Sequence, residues 1–244
     1  MTTATTQPKM KIEVWSDVMC PFCYIGKRHY EAAIKRFADS SNIELVWKSF
    51  QLNPNSPEHY DGSVNDYLAE HKGISVSQAK QMNDRVTLMA KEAGLTYNLD
   101  NARIANSFKA HRIIQLAKTK GLGDEIEENL FRAYFTEGKD FGDVKTLTEL
   151  AKSIGLTEAD VNEALTDDEY AYKVKQDIQE AQQIGVTGVP FFVFNRKYAV
   201  SGAQPAEVFL QTLQKSFEEW RKENPAVKLE VTEGNVCTPD GKCD

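Results

Sequence analysis

The chain has 244 residues, 41% hydrophobic and 27% charged, enough apolar material for a sizeable core and too much for an intrinsically disordered class. Its formal net charge of -7 argues against a nucleic-acid partner, for which a basic surface is expected. No apolar run is long enough to span a bilayer, and the opening MTTATTQPKM lacks the apolar heart of a secretory signal, so the expected setting is cytoplasmic with no membrane partner.

Along the chain, Lys11-Ile12-Glu13-Val14-Trp15 alternates as a strand does, which predicts a strand over 11–16. Tyr24, Ile25, Tyr30, Ala33, Ile34 and Phe37 then recur at helical spacing, which predicts a helix over 20–38. Between the two lies Cys20-Pro21-Phe22-Cys23. A cysteine delivered by a strand to a helix N-terminus meets unpaired N–H groups and the positive end of the helix dipole, which stabilise a thiolate. The thiolate is the reactive form, so Cys20 is the expected nucleophile, with Cys23 one turn on to close a disulfide behind it. Pro21 suits the first helical position, where its missing N–H costs nothing. The Pro21-Phe22 pair offers no cationic side chain, so the backbone is left as the main stabiliser and a less oxidising dithiol is expected than with Pro-His in that place.

A second strand is predicted over 43–48, followed by a turn-rich break at Asn53-Pro54-Asn55-Ser56-Pro57. From about residue 62 the pattern turns helical. Five apolar stripes follow: Val76 to Ala93, one opening at Phe108, Ile126 to Tyr134, Leu147 to Ile154, and Ala171 to Ala181. Glycines 94, 121, 138, 155 and 185 stop them, the usual C-terminal residue of a helix. Pro190-Phe191-Phe192-Val193-Phe194, a hairpin connection at Asn195-Arg196-Lys197, and Tyr198-Ala199-Val200 restore strand grammar. A last amphipathic helix runs from about Pro205 to Trp220, and the tail from Arg221 reads as polar and irregular.

The order is β-α-β, a block of helices, then β-β-α. Removing the block leaves a thioredoxin arrangement, so the expected class is α/β: a thioredoxin-like fold with an inserted all-helical subdomain. The expected boundaries are 11–61 and 185–223 for the discontinuous thioredoxin-like domain, 62–184 for the helical insertion, and 224–244 for a tail.

Several segments carry a family resemblance beyond the cysteine pair: Ser16 to Gly26 around the cysteines, Phe50-Gln51-Leu52-Asn53-Pro54, Asn106 to Arg112, Leu130 to Phe135, Gly185 to Phe192, and Ser201 to Pro205. On these the chain resembles the DsbA-like thioredoxin family, and within it the FrnE-type cytoplasmic branch, over roughly Lys11 to Trp220. The superfamily also includes 2-hydroxychromene-2-carboxylate isomerases and kappa-class glutathione transferases, which typically carry serine where Cys20 stands and lack the second cysteine. The resemblance implies a cis bond before Pro190, facing the cysteines, and leaves the Val189 backbone to pair with an extended substrate. It also implies a protein-disulfide oxidoreductase or isomerase.

Each candidate has a plainer reading. Cys20 and Cys23 could be two ligands of a zinc site, but four-coordination needs further partners and a strand-to-helix junction is not a zinc-knuckle context, so no metal is expected. The histidines, His29, His59, His71 and His111, are expected to be structural or solvated, since nothing in the sequence places them beside the thiolate, although His111 could face the site across the groove. The Met stripe of the insert is expected in the core, and Asp124-Glu125-Glu127-Glu128 on a solvated helix face. Cys237 and Cys243 flank a Pro-Asp-Gly turn; they are either a second redox pair that relays electrons or an incidental feature of the tail.

The expected function is thiol–disulfide exchange on protein or small-molecule disulfides. It needs no bound cofactor, takes glutathione as a possible co-substrate, and depends on a recycling reductant or oxidant. The rivals are a glutathione-dependent isomerase or transferase, and a non-enzymatic chaperone or binding module using the insert groove.

Overall fold

The computed structural model describes residues 8–225. Cys237 and Cys243 therefore lie outside the described residues. The chain opens with β1 (Met10–Ser16), α1 (Pro21–Ile34) and β2 (Ile43–Ser49). The helical block follows: α2 (Val64–Lys72), α3 (Val76–Glu92), α4 (Phe108–Thr119), α5 (Gly123–Phe135), α6 (Val144–Ser153), α7 (Glu158–Thr166) and α8 (Asp168–Gln183). Then come β3 (Phe191–Phe194), β4 (Tyr198–Ser201) and α9 (Ala206–Glu223). The sheet order is β2-β1-β3-β4, with β1 parallel to β2 and antiparallel to β3, and β3 antiparallel to β4. This is a thioredoxin-like fold carrying a helical insertion.

Strand β1 is central and buried on both faces, which its sequence allows because Ile12 and Val14 point one way and Trp15 the other. On one face α1 and α9 pack over β3: Tyr30 stacks on Phe192 at 5.8 Å, and Phe209 meets Phe192 edge-on at 4.8 Å. Phe192, Phe194 and Phe209 are fully buried there, each contributing roughly 2–3 kcal/mol by leaving water. On the other face Trp15 packs with Ala181 and Val186 and donates its indole N–H to the Asp177 carbonyl at 2.9 Å, seating α8. The β3–β4 turn has positive φ at both Asn195 and Arg196, the primed-turn conformation whose twist matches a hairpin. Arg196 is held there by ion pairs to Glu13 and Glu180.

Four elements differ from the sequence expectation. Helix α1 stops at Ile34, and Phe37 reaches its edge-on partner Phe217 from a turn. Helices α2 and α7 have too few apolar residues to form a stripe, yet each carries a reciprocal capping box, Ser63 with Asp66 and Thr157 with Asp160. Helix α9 runs on to Glu223, with Arg221 stacked over Phe217 and Trp220, so residues 221–223, expected to be irregular, are helical.

Candidate active site

Cys20 occupies the N-cap of α1, with extended backbone and no side chain of its own bonded to the helix end. Pro21 is the first helical residue, and the first turn holds no acidic group to compete for the free amides. The loop from β1 is tied at the cysteine itself: the Cys20 N–H donates to the Asp17 carbonyl at 2.9 Å. The Cys20 thiol lies 3.4 Å from the carbonyl oxygen of Val189. The Val189–Pro190 bond is cis, and Val189 meets the helix start from 169 positions away in the sequence. Helix α1 can approach this loop because residue 26 is glycine; a Cβ there would meet Pro190 Cγ at 3.0 Å.

Both sulfurs are covered, Cys20 at 3% and Cys23 at 1% exposure. Burial pushes the Cys23 thiol well above its ordinary pKa, and the neighbouring Cys20 sulfur adds to this. The Asp17 backbone amide opposes it by favouring the thiolate. Cys23 therefore sits as a thiol that gives up its proton reluctantly. Tyr97, from the insert, donates its hydroxyl to the Pro21 carbonyl at 2.7 Å, and its own pKa is raised by burial and then by the two cysteines.

Cys20 opens into a cavity of about 350 Å³ between the thioredoxin-like part and the helical block. Its walls are largely apolar: Met19, Phe22 and Leu52 near the cysteine, and Val64, Met82 and Phe135 from the insert. Polar groups, including Asn53, His71 and Lys72, also line it. Met82 is 41% exposed and faces this cavity, so the Met stripe is not simply core; α3 leaves part of that stripe uncovered.

The histidines separate. His29 Nδ1 bonds to the Gln204 carbonyl at 2.8 Å, His59 is exposed beside Asp61, and His71 stacks on Tyr67. His111 takes the structural one of the two readings expected of it: it is fully buried and meets Asp17 three residues ahead of Cys20, with Nε2 at 3.4 Å from Oδ1. The acidic cluster on α5 corrects the expectation of a solvated helix face. Glu127 is 1% exposed, and burial, Asp124 and Asp17 push its carboxyl up to about 8. Glu128 is half-buried and paired with Arg28. Asp17 and Tyr97 were the residues that sequence reasoning left without a role, and His111 was weighed only as structural, solvated or facing the site across the groove. Asp17 alone had a local signal, a carboxylate in the short strand-to-helix loop that carries the cysteine. No group of three or more His, Cys, Asp or Glu side chains that could hold a metal ion occurs among the described residues. Among the described residues no helix is long and apolar enough to cross a membrane.

Comparison with known proteins agrees with this fold. The profile of the DSBA-like thioredoxin domain matches residues 11–214. The uncharacterized protein YwbO of Bacillus subtilis is 30% identical over 200 residues, covering 81% of this chain and 92% of YwbO. The crystal structure of the probable DsbA oxidoreductase SCO1869 from Streptomyces coelicolor superposes with a TM-score of 0.80 at 36% identity, covering 96% of this chain and 98% of that one. The cytosolic disulfide reductase DsbM of Pseudomonas aeruginosa shares the fold at 15% identity, with a TM-score of 0.61 over 86% of this chain and 99% of its own.

Proposed function

The chain belongs to the DsbA-like thioredoxin family, and from that premise we propose that it is a thiol–disulfide oxidoreductase working through Cys20 and Cys23. The observation that carries this reading is the place of Cys20: an N-cap sulfur against the Val189 carbonyl, opening into an apolar cavity. In the reducing direction the Cys20 thiolate attacks one sulfur of a substrate disulfide. A Cys20–substrate disulfide forms and the other half leaves as a thiolate that takes up a proton. Cys23 then loses its proton and attacks Cys20, releasing the second substrate thiol. The substrate gains two electrons and two protons, and the Cys20–Cys23 pair becomes a disulfide. The oxidising direction is the reverse.

The apolar cavity favours disulfides flanked by a bulky apolar group, and the Val189 backbone is the edge on which an extended substrate would pair. A thiol reductant such as glutathione would return the pair to the dithiol. The working compartment in this reading is the cytoplasm, on the use of cysteines as pairs instead of a disulfide framework.

Reduction of insulin by dithiothreitol tests the proposal. The wild-type chain is expected to accelerate it, Cys20→Ser to abolish the acceleration, and Cys23→Ser to accumulate mixed disulfides. Acceleration by Cys20→Ser equal to wild type would sink the reading. Tight glutathione binding without any disulfide turnover would favour the isomerase or transferase alternative.

A further inference from the structure

Three buried side-chain atoms have no hydrogen-bond partner among the described residues: Ser16 Oγ, His111 Nδ1 and Glu127 Oε2. A buried polar atom without a partner is uncommon and asks for an explanation. Two of them adjoin Asp17: Ser16 precedes it and the His111 ring lies 3.4 Å from it. The charge of Asp17 is also one of the causes, after burial and Asp124, that hold the Glu127 carboxyl up. The buried Tyr134 hydroxyl, also from α5, has its pKa raised by burial and then by Asp17.

Asp17 is fully buried and joins four pieces of the site. Its carbonyl accepts the Cys20 N–H at 2.9 Å. Its own N–H favours the Cys23 thiolate. Oδ2 accepts the Leu52 N–H at 2.7 Å, fixing the loop that lines the cavity beside Cys20. Oδ1 faces the Met19 N–H at 3.5 Å and His111 Nε2 at 3.4 Å, both longer than the usual range of about 2.7–3.2 Å. Oδ2 is thus occupied as an acceptor while Oδ1 faces the Met19 amide and the His111 ring at longer range, so an amide, with one oxygen, cannot present an acceptor to both sides. Helix α4 brings His111 from 94 positions away.

We propose that Asp17 and His111 are a positioning couple for the dithiol: α4, through His111, orients the Asp17 carboxylate, and Asp17 holds the Cys20 amide and the Leu52 loop in register at the start of α1. The couple thereby sets how fast Cys23 resolves a mixed disulfide and where the dithiol–disulfide equilibrium lies. Neither residue touches substrate. The inference rests on the dithiol reading above.

The test compares wild type with Asp17→Asn, His111→Leu and His111→Gln, the last retaining a donor close to where Nε2 lies. Three quantities are read: the equilibrium constant of the Cys20/Cys23 pair in glutathione redox buffers, the rate of mixed-disulfide resolution, and the pH profile of Cys20 alkylation. Asp17→Asn and His111→Leu should shift the equilibrium about tenfold, or about 30 mV for this two-electron couple, and slow resolution about tenfold. His111→Gln should restore most of both. Folded Asp17→Asn and His111→Leu proteins within about twofold of wild type in equilibrium, resolution and profile would overturn the proposal. If those variants do not fold, the wild-type chain decides. The ring nitrogen signals of His111 should move between the reduced and oxidised states, and identical spectra overturn the proposal. Cys20→Ser keeps the two readings apart. Retained turnover in Cys20→Ser removes the dithiol reading itself. Lost turnover there, with unperturbed Asp17 and His111 variants, removes only the couple.

Discussion

The two ends of α1 are built from opposite chemistry. Its first turn, Pro21-Phe22-Cys23, carries no charged side chain. One turn on, Tyr24, Lys27, Arg28 and Glu31 form an ionic lattice with α5. Lys27, only 3% exposed, pairs with Glu31, with Asp124 at 3.3 Å and with Glu128 at 3.1 Å. Arg28 lies over the Tyr24 ring at 4.7 Å and reaches Glu31 at 2.8 Å and Glu128. Tyr24 donates to Glu128 at 2.6 Å. The difference separates two tasks within one helix. The dithiol end takes its electrostatics from backbone amides and a buried loop, while the charged end docks the helical block. A substitution at one end should therefore change chemistry with little change in stability, and at the other the reverse.

The largest expected effect lies at the cysteine end. Cys20→Ser should reduce disulfide turnover to background, while its melting temperature stays close to that of the reduced wild type, since serine is only slightly smaller and the N-cap tolerates a hydroxyl. Calorimetry beside the insulin assay checks both halves; a large loss of stability with turnover retained would merge the two tasks.

Lys27→Met should do the opposite. Breaking a buried pair costs about 3–5 kcal/mol, and because the three carboxylates left behind are themselves partly exposed, a loss of roughly 2–3 kcal/mol is expected. That corresponds to a fall in melting temperature of about 2–4 °C per kcal/mol for a chain of this length. The Cys20 alkylation rate should hardly move; a severalfold change would show that the lattice tunes the dithiol after all.

Glu127 gives the comparison a pH dependence. Its carboxyl is held at about 8 in the fold against 4.5 as an ordinary side chain, so between those values the folded chain binds more protons than the unfolded one. Stability should fall as pH rises through this window, by at most about 1.4 kcal/mol per unit, and Glu127→Gln should remove the decline. Glu128 acts in the opposite sense. Burial alone would raise it, but Arg28, Tyr24 and Lys27 outweigh burial and hold it at about 2, so its contribution is complete above 4.5 and is lost as pH falls toward 2. Urea denaturation at several pH values from about 5 to 9 reads the Glu127 part directly; a Glu127→Gln chain with the same slope as wild type would assign the decline elsewhere.

The smallest expected effect concerns the second cysteine pair. Truncation after Pro225 keeps all of α9, including the Arg221 stack over Phe217 and Trp220. If Cys237 and Cys243 relay electrons, removing them should change insulin turnover by a few-fold and leave the melting temperature within about 1 °C, since a disulfide across so short a loop constrains the unfolded chain little. Equal turnover with and without the segment would make the pair incidental.

What the sequence determined by itself is what neighbours in the chain encode. The strand before Cys20, the helix after it, the proline at the first helical position and the glycine stops all depend on residues two to four apart, and a linear reading resolves those distances. The capping boxes of α2 and α7 were legible by the same rule, without an apolar stripe to draw attention to them. Other properties were decided only when the helical block closed on the sheet. Four acidic residues within five positions look the same whether they face water or a buried lysine, and α5 turned Glu127 inward and Glu128 onto Arg28. His111 became a partner of Asp17, and Tyr97 of Pro21, because α4 and the segment after α3 were carried across 94 and 76 positions to the helix start. Burial and long-range partners are properties of packed surfaces, so no local pattern of polarity specifies them.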